Sequence, residues 1–161
     1  MKLIASFFYV GYLRPGPGTW GSLAALPAAW LLHAIGGVWL LIIAGVVLFA
    51  AGHAATKKLI AGATDHDPSW IVVDEVVGMW IALLPVSYGA TAMSIDVLRL
   101  WPGILSAFVF FRLFDIWKPS LVGRADRSGG AMGVMLDDVI AGVFAAIVTA
   151  VLAAIAHGVL M

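Results

Sequence analysis

The sequence predicts an all-α integral membrane protein: one domain over residues 1–161, a compact bundle of about five transmembrane or re-entrant helices with a short N-terminal interfacial segment. Three observations predict it. Apolar residues make up 63% of the chain and charged ones 11%, against about 45–50% and 25% in soluble domains. Mean hydropathy is +1.05. The apolar residues come in long runs broken by clusters of charge, glycine and proline, with no room for a soluble domain between them. The chain has no cysteine, which excludes a disulfide scaffold, a thiolate metal site and a thiol nucleophile. Nine basic residues balance nine acidic ones, which argues against a nucleic-acid partner.

The elements follow in order. Met1 to Val10 is aromatic-rich and carries one lysine, but it is too short for the ~20 residues that cross a bilayer. Gly11 and Arg14 break it, and no small-x-small site precedes the Pro15-Gly16-Pro17-Gly18 turn. It therefore reads as a segment lying on the membrane rather than a cleaved leader. The first run, Trp20 to Leu32, ends at His33 and Gly36-Gly37; it is short and contains Pro27, so a tilted, kinked or re-entrant helix is expected. The second, Val38 to Ala55, stops at Lys57-Lys58. The third, Ile71 to Val86, carries Asp74 and Glu75 in its first turn. The fourth, Trp101 to Trp117, holds Arg112 and Asp115 near its end. The fifth, Val134 to His157, has Asp137 and Asp138 in its expected first turn. Gly142, Ala146, Ala150 and Ala154 give it a seam of small residues for close helix packing.

Five crossings with a cytoplasmic N-terminus put Lys2, Arg14, Lys57, Lys58, Arg112, Lys118, Arg124 and Arg127 inside and only Arg99 outside, as the positive-inside rule requires. The same topology gathers Asp65, Asp67, Asp74, Glu75, Asp115, Asp126, Asp137 and Asp138 on the cytoplasmic face. A charge at a helix centre costs ~2.5–3.5 kcal/mol on insertion scales, so acids written into apolar runs need partners even near the ends. Arg112, Asp115 and Lys118 share one third of a helix circumference. Adjacent Asp74-Glu75 and Asp137-Asp138 diverge by ~100°, so one of each pair can face the bundle interior. Gly78 and Gly142, one turn beyond Asp74 and Asp138, allow the two helices to approach. Hard oxygen ligands without His or Cys suit Mg²⁺, and the neighbouring Arg112 and Lys118 suit a phosphate. Carboxylates for a metal and cations for phosphate, at headgroup depth, point to chemistry on a phospholipid head. Two structural readings stand beside this: acids placed to favour a helix dipole, and Arg112–Asp115 as a simple intrahelical pair.

Other signals are weaker. Pro15 to Ser22 is a glycine- and proline-rich turn with Thr19 as a helix cap, whose backbone amides could hold phosphate, but it lacks a Walker A ending. His33, His53, His66 and His157 show no metal-ligand spacing. Trp20, Trp39, Trp70, Trp101 and Trp117 fall at segment ends, as membrane anchors do. A cation transporter or channel is the alternative function. It calls for acids near the bilayer midplane and paired repeats, whereas here the acids crowd one face.

Four blocks together resemble the phosphatidylglycerophosphatase A family: Pro17 to Ser22, Asp67 through Trp80, Phe111 to Pro119, and Met132 to Gly142. They run in order over nearly the whole chain. One departure is visible: the family's glycine pair before the Met-Gly block stands here as Gly129-Gly130-Ala131. The resemblance implies a multi-pass enzyme of the bacterial inner membrane, its site facing the cytoplasm. Such an enzyme uses Mg²⁺ to remove the terminal phosphate of phosphatidylglycerophosphate among membrane lipids. It implies Asp74, Glu75, Asp137 and Asp138 as metal-binding and water-activating groups and Arg112 and Lys118 as the phosphate clamp. Asp67, Asp115 and Thr19 would be helpers. Water attack and an aspartyl-phosphate intermediate both remain open. Thiol-type and histidine-based phosphatase mechanisms are disfavoured by the residues present, and the sequence says nothing of oligomeric state.

Overall fold

The computed structural model describes residues 1–62 and 68–160, and among them there is no β-strand. The helices are α1 (Lys2–Ala5), α2 (Pro17–Ile60), α3 (Val73–Ala82), α4 (Leu84–Met93), α5 (Trp101–Trp117), α6 (Leu121–Ser128) and α7 (Gly130–Leu160). Single 3₁₀ turns lie at Val10–Tyr12 and Val97–Leu100.

The first two apolar runs form one element, α2, which folds back on itself. Gly36 (φ −146°, ψ 19°) and Gly37 (φ +61°, ψ −155°) leave helical geometry, and the positive φ at Gly37 is one that glycine adopts without penalty. Gly18 lies against Glu75, Ala25 against Trp80 and Gly37 against Thr91, so residues 17–35 run parallel to α3 and α4. Gly52 lies against Val73, so residues 38–60 return antiparallel. At ~1.5 Å per residue the limbs are about 28 and 34 Å long, enough for a ~30 Å hydrocarbon core. The reversal falls at the two glycines where the sequence ends the first run, and the helix is unbroken at Pro27. Proline removes one hydrogen bond, but the helix continues through it, whereas successive glycines free the backbone to reverse.

The third run is longer than its apolar pattern suggested. It continues through a 42° bend at Leu83 into α4 as far as Met93. Pro85 supplies the cause, since it cannot donate to the carbonyl of Ile81. Three helices are long and apolar enough to cross a membrane, or four if the bent pair α3–α4 is one span. The longest of them is the folded-back α2.

The centre of the bundle is α3, eight of whose ten residues are buried. Its main partner is α7, which runs parallel to it. A Cβ on Gly142 would strike the backbone carbonyl of Gly78, and one on Gly78 would come within 2.5 Å of Asp138 O and Phe111 Cε2. Only paired glycines permit this crossing. The expected every-fourth-residue seam on α7 is corrected: Ala141, Gly142, Ala145 and Thr149 are buried while Ala150 and Ala154 are exposed. Four residues turn a helix by 400°, so a strict four-residue line winds off the contact face. α5 runs antiparallel to α3, with Phe111 beside Gly78 and Gly103 beside Val86. Ile35, Ile43, Val46, Ile116, Ile147 and Ile155 are exposed on the outside, as lipid-facing side chains are.

The N-terminal segment also braces the bundle. Val72 N–H donates to Ala5 O (2.9 Å), and Tyr12 stacks on Trp70 with ring centroids 5.5 Å apart and planes 6° from parallel. The Trp70–Val72 approach to α3 is thereby fixed, and Asp74 follows it directly.

Candidate active site

One end of the bundle collects the start of α2, the start of α3, the end of α5, the α5–α6 turn and the second and third turns of α7. Arg99 and His157 lie at the opposite end, beside Met93.

Asp74 and Glu75 occupy the first turn of α3. Asp137 and Asp138 do not open α7, contrary to the sequence expectation. The helix begins at Gly130, so they lie two turns inside it, and its first turn has no acid. The glycines at 129, 130 and 133 read as loop; Gly129 and Gly130, both at positive φ, turn the chain into α7, and Gly133 lies within it. This removes the helix-dipole account for that pair, because the favourable field fades within the first turn. In both pairs the first aspartate accepts from the next residue's N–H at 3.0 Å: Asp74 Oδ1 from Glu75 and Asp137 Oδ1 from Asp138.

Asp74, Glu75 and Asp138 come together, each offering a carboxylate oxygen, with these atoms all within 4.8 Å of one another. Asp74 and Asp138 are buried and Glu75 nearly so. Glu75 Oε2 and Asp138 Oδ1 are buried with no hydrogen-bond partner. Like charges so placed repel, and buried unpaired carboxylate oxygens are costly. The donor set is all hard oxygen with two free ligand atoms, which fits a divalent cation such as Mg²⁺. Among the described residues it is the single such group of three.

Asp137 is not in this group. Its Oδ2 accepts from Lys118 Nζ at 2.8 Å. Lys118, in the left-handed conformation that ends α5 (φ +49°), also binds Asp126. Partial burial would lower the ammonium pKa, but the hydrogen bonds and charges of Asp126 and Asp137 outweigh it and hold the group above its usual range. Arg112 NH1 pairs with Asp115 Oδ2 at 2.5 Å and donates to Ser22 Oγ at 3.4 Å, while its Nε is buried without a partner. Asp115 in turn lies beside Asp138. The intrahelical pair therefore also forms one wall of the acidic cluster.

Residues 17–22, expected as a turn with Thr19 as the helix cap, instead open α2, with Gly16 as the N-cap and Pro17 as its first residue, and this helix start packs over the acids. A Cβ on Gly18 would collide with Glu75 Oε1 and stand 3.2 Å from Arg112 NH1. Ser22, buried, donates to Gly18 O (2.8 Å) and accepts from Arg112, tying α2 to α5. These two residues were not singled out from the sequence, and the motif Pro17-Gly18-Thr19-Trp20-Gly21-Ser22 was the available signal. Thr19 is exposed on the same helix start. Asp67, expected as a helper, lies outside the described residues, as do Asp65 and His66. His33 pairs with Ser87 and His157 with Ala153 O, both away from the cluster. The carboxylates buried among the described residues all sit at this end, and none is at mid-bundle where ion translocation would need one.

Comparison with known proteins bears on this arrangement. A family model described as Phosphatidylglycerophosphatase A matches residues 3–153. A Haemophilus influenzae protein named Phosphatidylglycerophosphatase A is 37% identical over 149 residues, 92% of this chain and 85% of that one. An Escherichia coli protein of the same name is 37% identical over 152 residues, 89% of this chain and 78% of that one. A Bacteroides thetaiotaomicron protein named "Putative phosphatidylinositol-3-phosphatase" is 38% identical over 153 residues, 92% of this chain and 91% of that one. No solved structure matches the chain.

Proposed function

Since this chain belongs to the phosphatidylglycerophosphatase A family, we propose that it hydrolyses the terminal phosphomonoester of phosphatidylglycerophosphate with a bound Mg²⁺, at the cytoplasmic face of a bacterial inner membrane. That it is a phosphatase follows from the family. The metal, the specific lipid and the orientation are our reading. One observation carries it: three carboxylates within 4.8 Å, Asp74 and Asp138 buried and Glu75 partly so, two of them with unpartnered oxygens, beside an arginine whose Nε is buried and unpartnered.

Asp74, Glu75 and Asp138 would hold the cation. When bound, Mg²⁺ supplies Lewis-acid polarisation of a phosphoryl oxygen and a lowered pKa for a coordinated water. The remaining roles belong to the chain's own groups. Arg112, oriented by Asp115 and Ser22, keeps its Nε N–H for a phosphoryl oxygen, where planar donors match best. Lys118, set by Asp126 and Asp137, places a second positive charge at the rim. In the hydrolysis the oxygen of water bonds to phosphorus and the bond to the glycerol oxygen breaks. A carboxylate oxygen of the cluster would take the water proton and pass it to the departing glycerol oxygen, which leaves as the alcohol, and charge on the equatorial oxygens would meet Arg112 and Lys118. Asp137, turned to Lys118, acts as a positioning residue. Eight of nine basic side chains at the expected inner side support the orientation.

The test is phosphate release from phosphatidylglycerophosphate in detergent micelles, with phosphatidylinositol 3-phosphate as the comparison lipid. Release should vanish with a chelator and return with Mg²⁺. Undiminished turnover in chelator would overturn the metal assignment, and faster turnover of the inositol lipid would overturn the substrate assignment.

A further inference from the structure

A groove of about 620 Å³ opens on the flank of the bundle between the first limb of α2 and α5. Its walls are apolar: Leu23, Leu26 and Trp30 on one side, Leu105 and Phe108 on the other. The groove starts where the acidic cluster stops. Arg112 and Ser22 join the two helices at the site end. Leu23 follows Ser22 directly, Leu26 lies one turn past it, and Phe108 lies one turn before Arg112. At the far end the groove meets a polar pair, His33 Nδ1 and Ser87 Oγ, 2.7 Å apart. From Leu23 to His33 the helix rises about 15 Å at ~1.5 Å per residue, the depth of one leaflet of a ~30 Å hydrocarbon core.

We infer that this groove holds one acyl chain of the lipid whose headgroup the acidic cluster binds, with the His33–Ser87 pair as its far limit. The inference rests on the lipid-phosphatase reading above. Three features select an acyl chain over other occupants: continuity with the headgroup site, a length matching one leaflet, and an opening to the side of the bundle where lipid is. The groove's effect is orientation. A chain entering it exchanges hydrocarbon for protein, so no hydrophobic driving force is gained, and close contact fixes where the headgroup sits. Misplacing a reacting group by an ångström costs up to ~10²-fold in rate, so the effect should appear in kcat/KM and depend on chain length.

Leu105 and Leu98 are 54% and 52% exposed in the groove wall, so tryptophan there fills the groove without disturbing the core. The full chain is assayed in micelles on dipalmitoyl and dihexanoyl phosphatidylglycerophosphate. With Leu105→Trp or Leu98→Trp, kcat/KM on the dipalmitoyl lipid should fall roughly tenfold, well inside the positioning range, while the dihexanoyl value stays within about twofold of wild type. An equal change on both lipids, or none on either, overturns the inference. The chain has no native cysteine, so Leu105→Cys gives a unique thiol. Efficient disulfide cross-linking of two copies through it in phosphatidylcholine vesicles would put a second copy on the groove and overturn the inference as well. If wild type releases phosphate from neither lipid, the phosphatase reading itself fails and takes the groove assignment with it. Release that is blind to the groove overturns the groove assignment alone.

Discussion

Gly142→Ala should damage the active site from a residue that touches no substrate. A Cβ at Gly142 would stand 3.0 Å from Gly78 C and 3.1 Å from Gly78 Cα, and closer still to its carbonyl oxygen. Every obstructing atom is backbone, so no side chain can swing away. Restoring separations of ~3.5–4.0 Å requires α3 and α7 to move apart by about 1 Å. Asp74 sits one turn before Gly78 and Asp138 one turn before Gly142, so this displacement widens the carboxylate cluster. An ångström of misplacement costs up to ~10²-fold in rate, and weaker Mg²⁺ binding should accompany it. Stability should fall by up to about 3 kcal/mol. Overpacking costs about 1–3 kcal/mol, while replacing glycine within a helix recovers up to ~1 kcal/mol. Gly45→Ala is the control, since nothing lies within 4 Å of its added Cβ. Phosphate release measured across a Mg²⁺ titration reads both effects. Wild-type turnover and metal dependence in Gly142→Ala would refute the claim that the glycine crossing sets the spacing of the acids.

Three further outcomes are expected from variants in the same assay. Asp138→Asn should lower turnover by at least ~10²-fold, the upper end of what losing even an outer-shell partner costs, and should reduce the thermal stabilisation that Mg²⁺ confers on wild type. Near-normal values of both would remove Asp138 from the metal site. Arg112→Lys keeps the charge but loses the planar fork, so it should retain only part of the activity, whereas Arg112→Ala should retain almost none and also leave Asp115 unpaired. Equal activity in the two variants would reduce Arg112 to a structural role. Gly18→Ala should impair activity more than stability, because its methyl would displace Glu75 and Arg112. A stability loss with unchanged kcat/KM would show that this helix start is scaffolding.

The alternation of apolar runs and charge made the crossing elements legible, and α5 has the very bounds that its run predicts, Trp101–Trp117. Two of its features are strong local signals: Pro102 at its start and a lysine turn with Pro119 at its end. The start of α7 was hidden because glycines at 129, 130 and 133 signal loop by their low intrinsic helix propensity, whereas only the first two, at positive φ, turn the chain, and Gly133 already lies in the helix. The reversal of α2 falls where the sequence ends its first run, at Gly36-Gly37, while the kink allowed for at Pro27 is absent. Proline is the conspicuous helix breaker, but Gly36-Gly37 supplied the backbone freedom that a reversal needs. The clustering of acids was legible because periodicity fixes which end of each helix a residue occupies. Which acids meet was not, because that depends on side-chain direction. Asp137 and Asp138 are neighbours in sequence, yet one turns to Lys118 and the other to Asp74 and Glu75.

The arrangement makes poor sense as a device for stability. Five carboxylates (Asp74, Glu75, Asp115, Asp137 and Asp138) share one end of an apolar bundle with two cations, Arg112 and Lys118. Each cation already has carboxylate partners, Asp115 for Arg112 and Asp126 with Asp137 for Lys118. Those pairs leave Asp74, Glu75 and Asp138 to repel one another in a buried site. Well-packed apolar side chains in their places would serve a structural bundle better. Nor does a helix terminus account for Asp138, two turns inside α7. A local rule broken at three positions on two helices, with paired glycines holding those helices close enough to concentrate the charge, is the pattern of a site arranged for a ligand rather than for folding. On the proposed reading, the partner of these acids is a compact divalent cation bound through oxygen. The unpartnered Nε of Arg112 beside it fits an anionic substrate, and a phosphate drawn to a divalent cation meets both requirements at once.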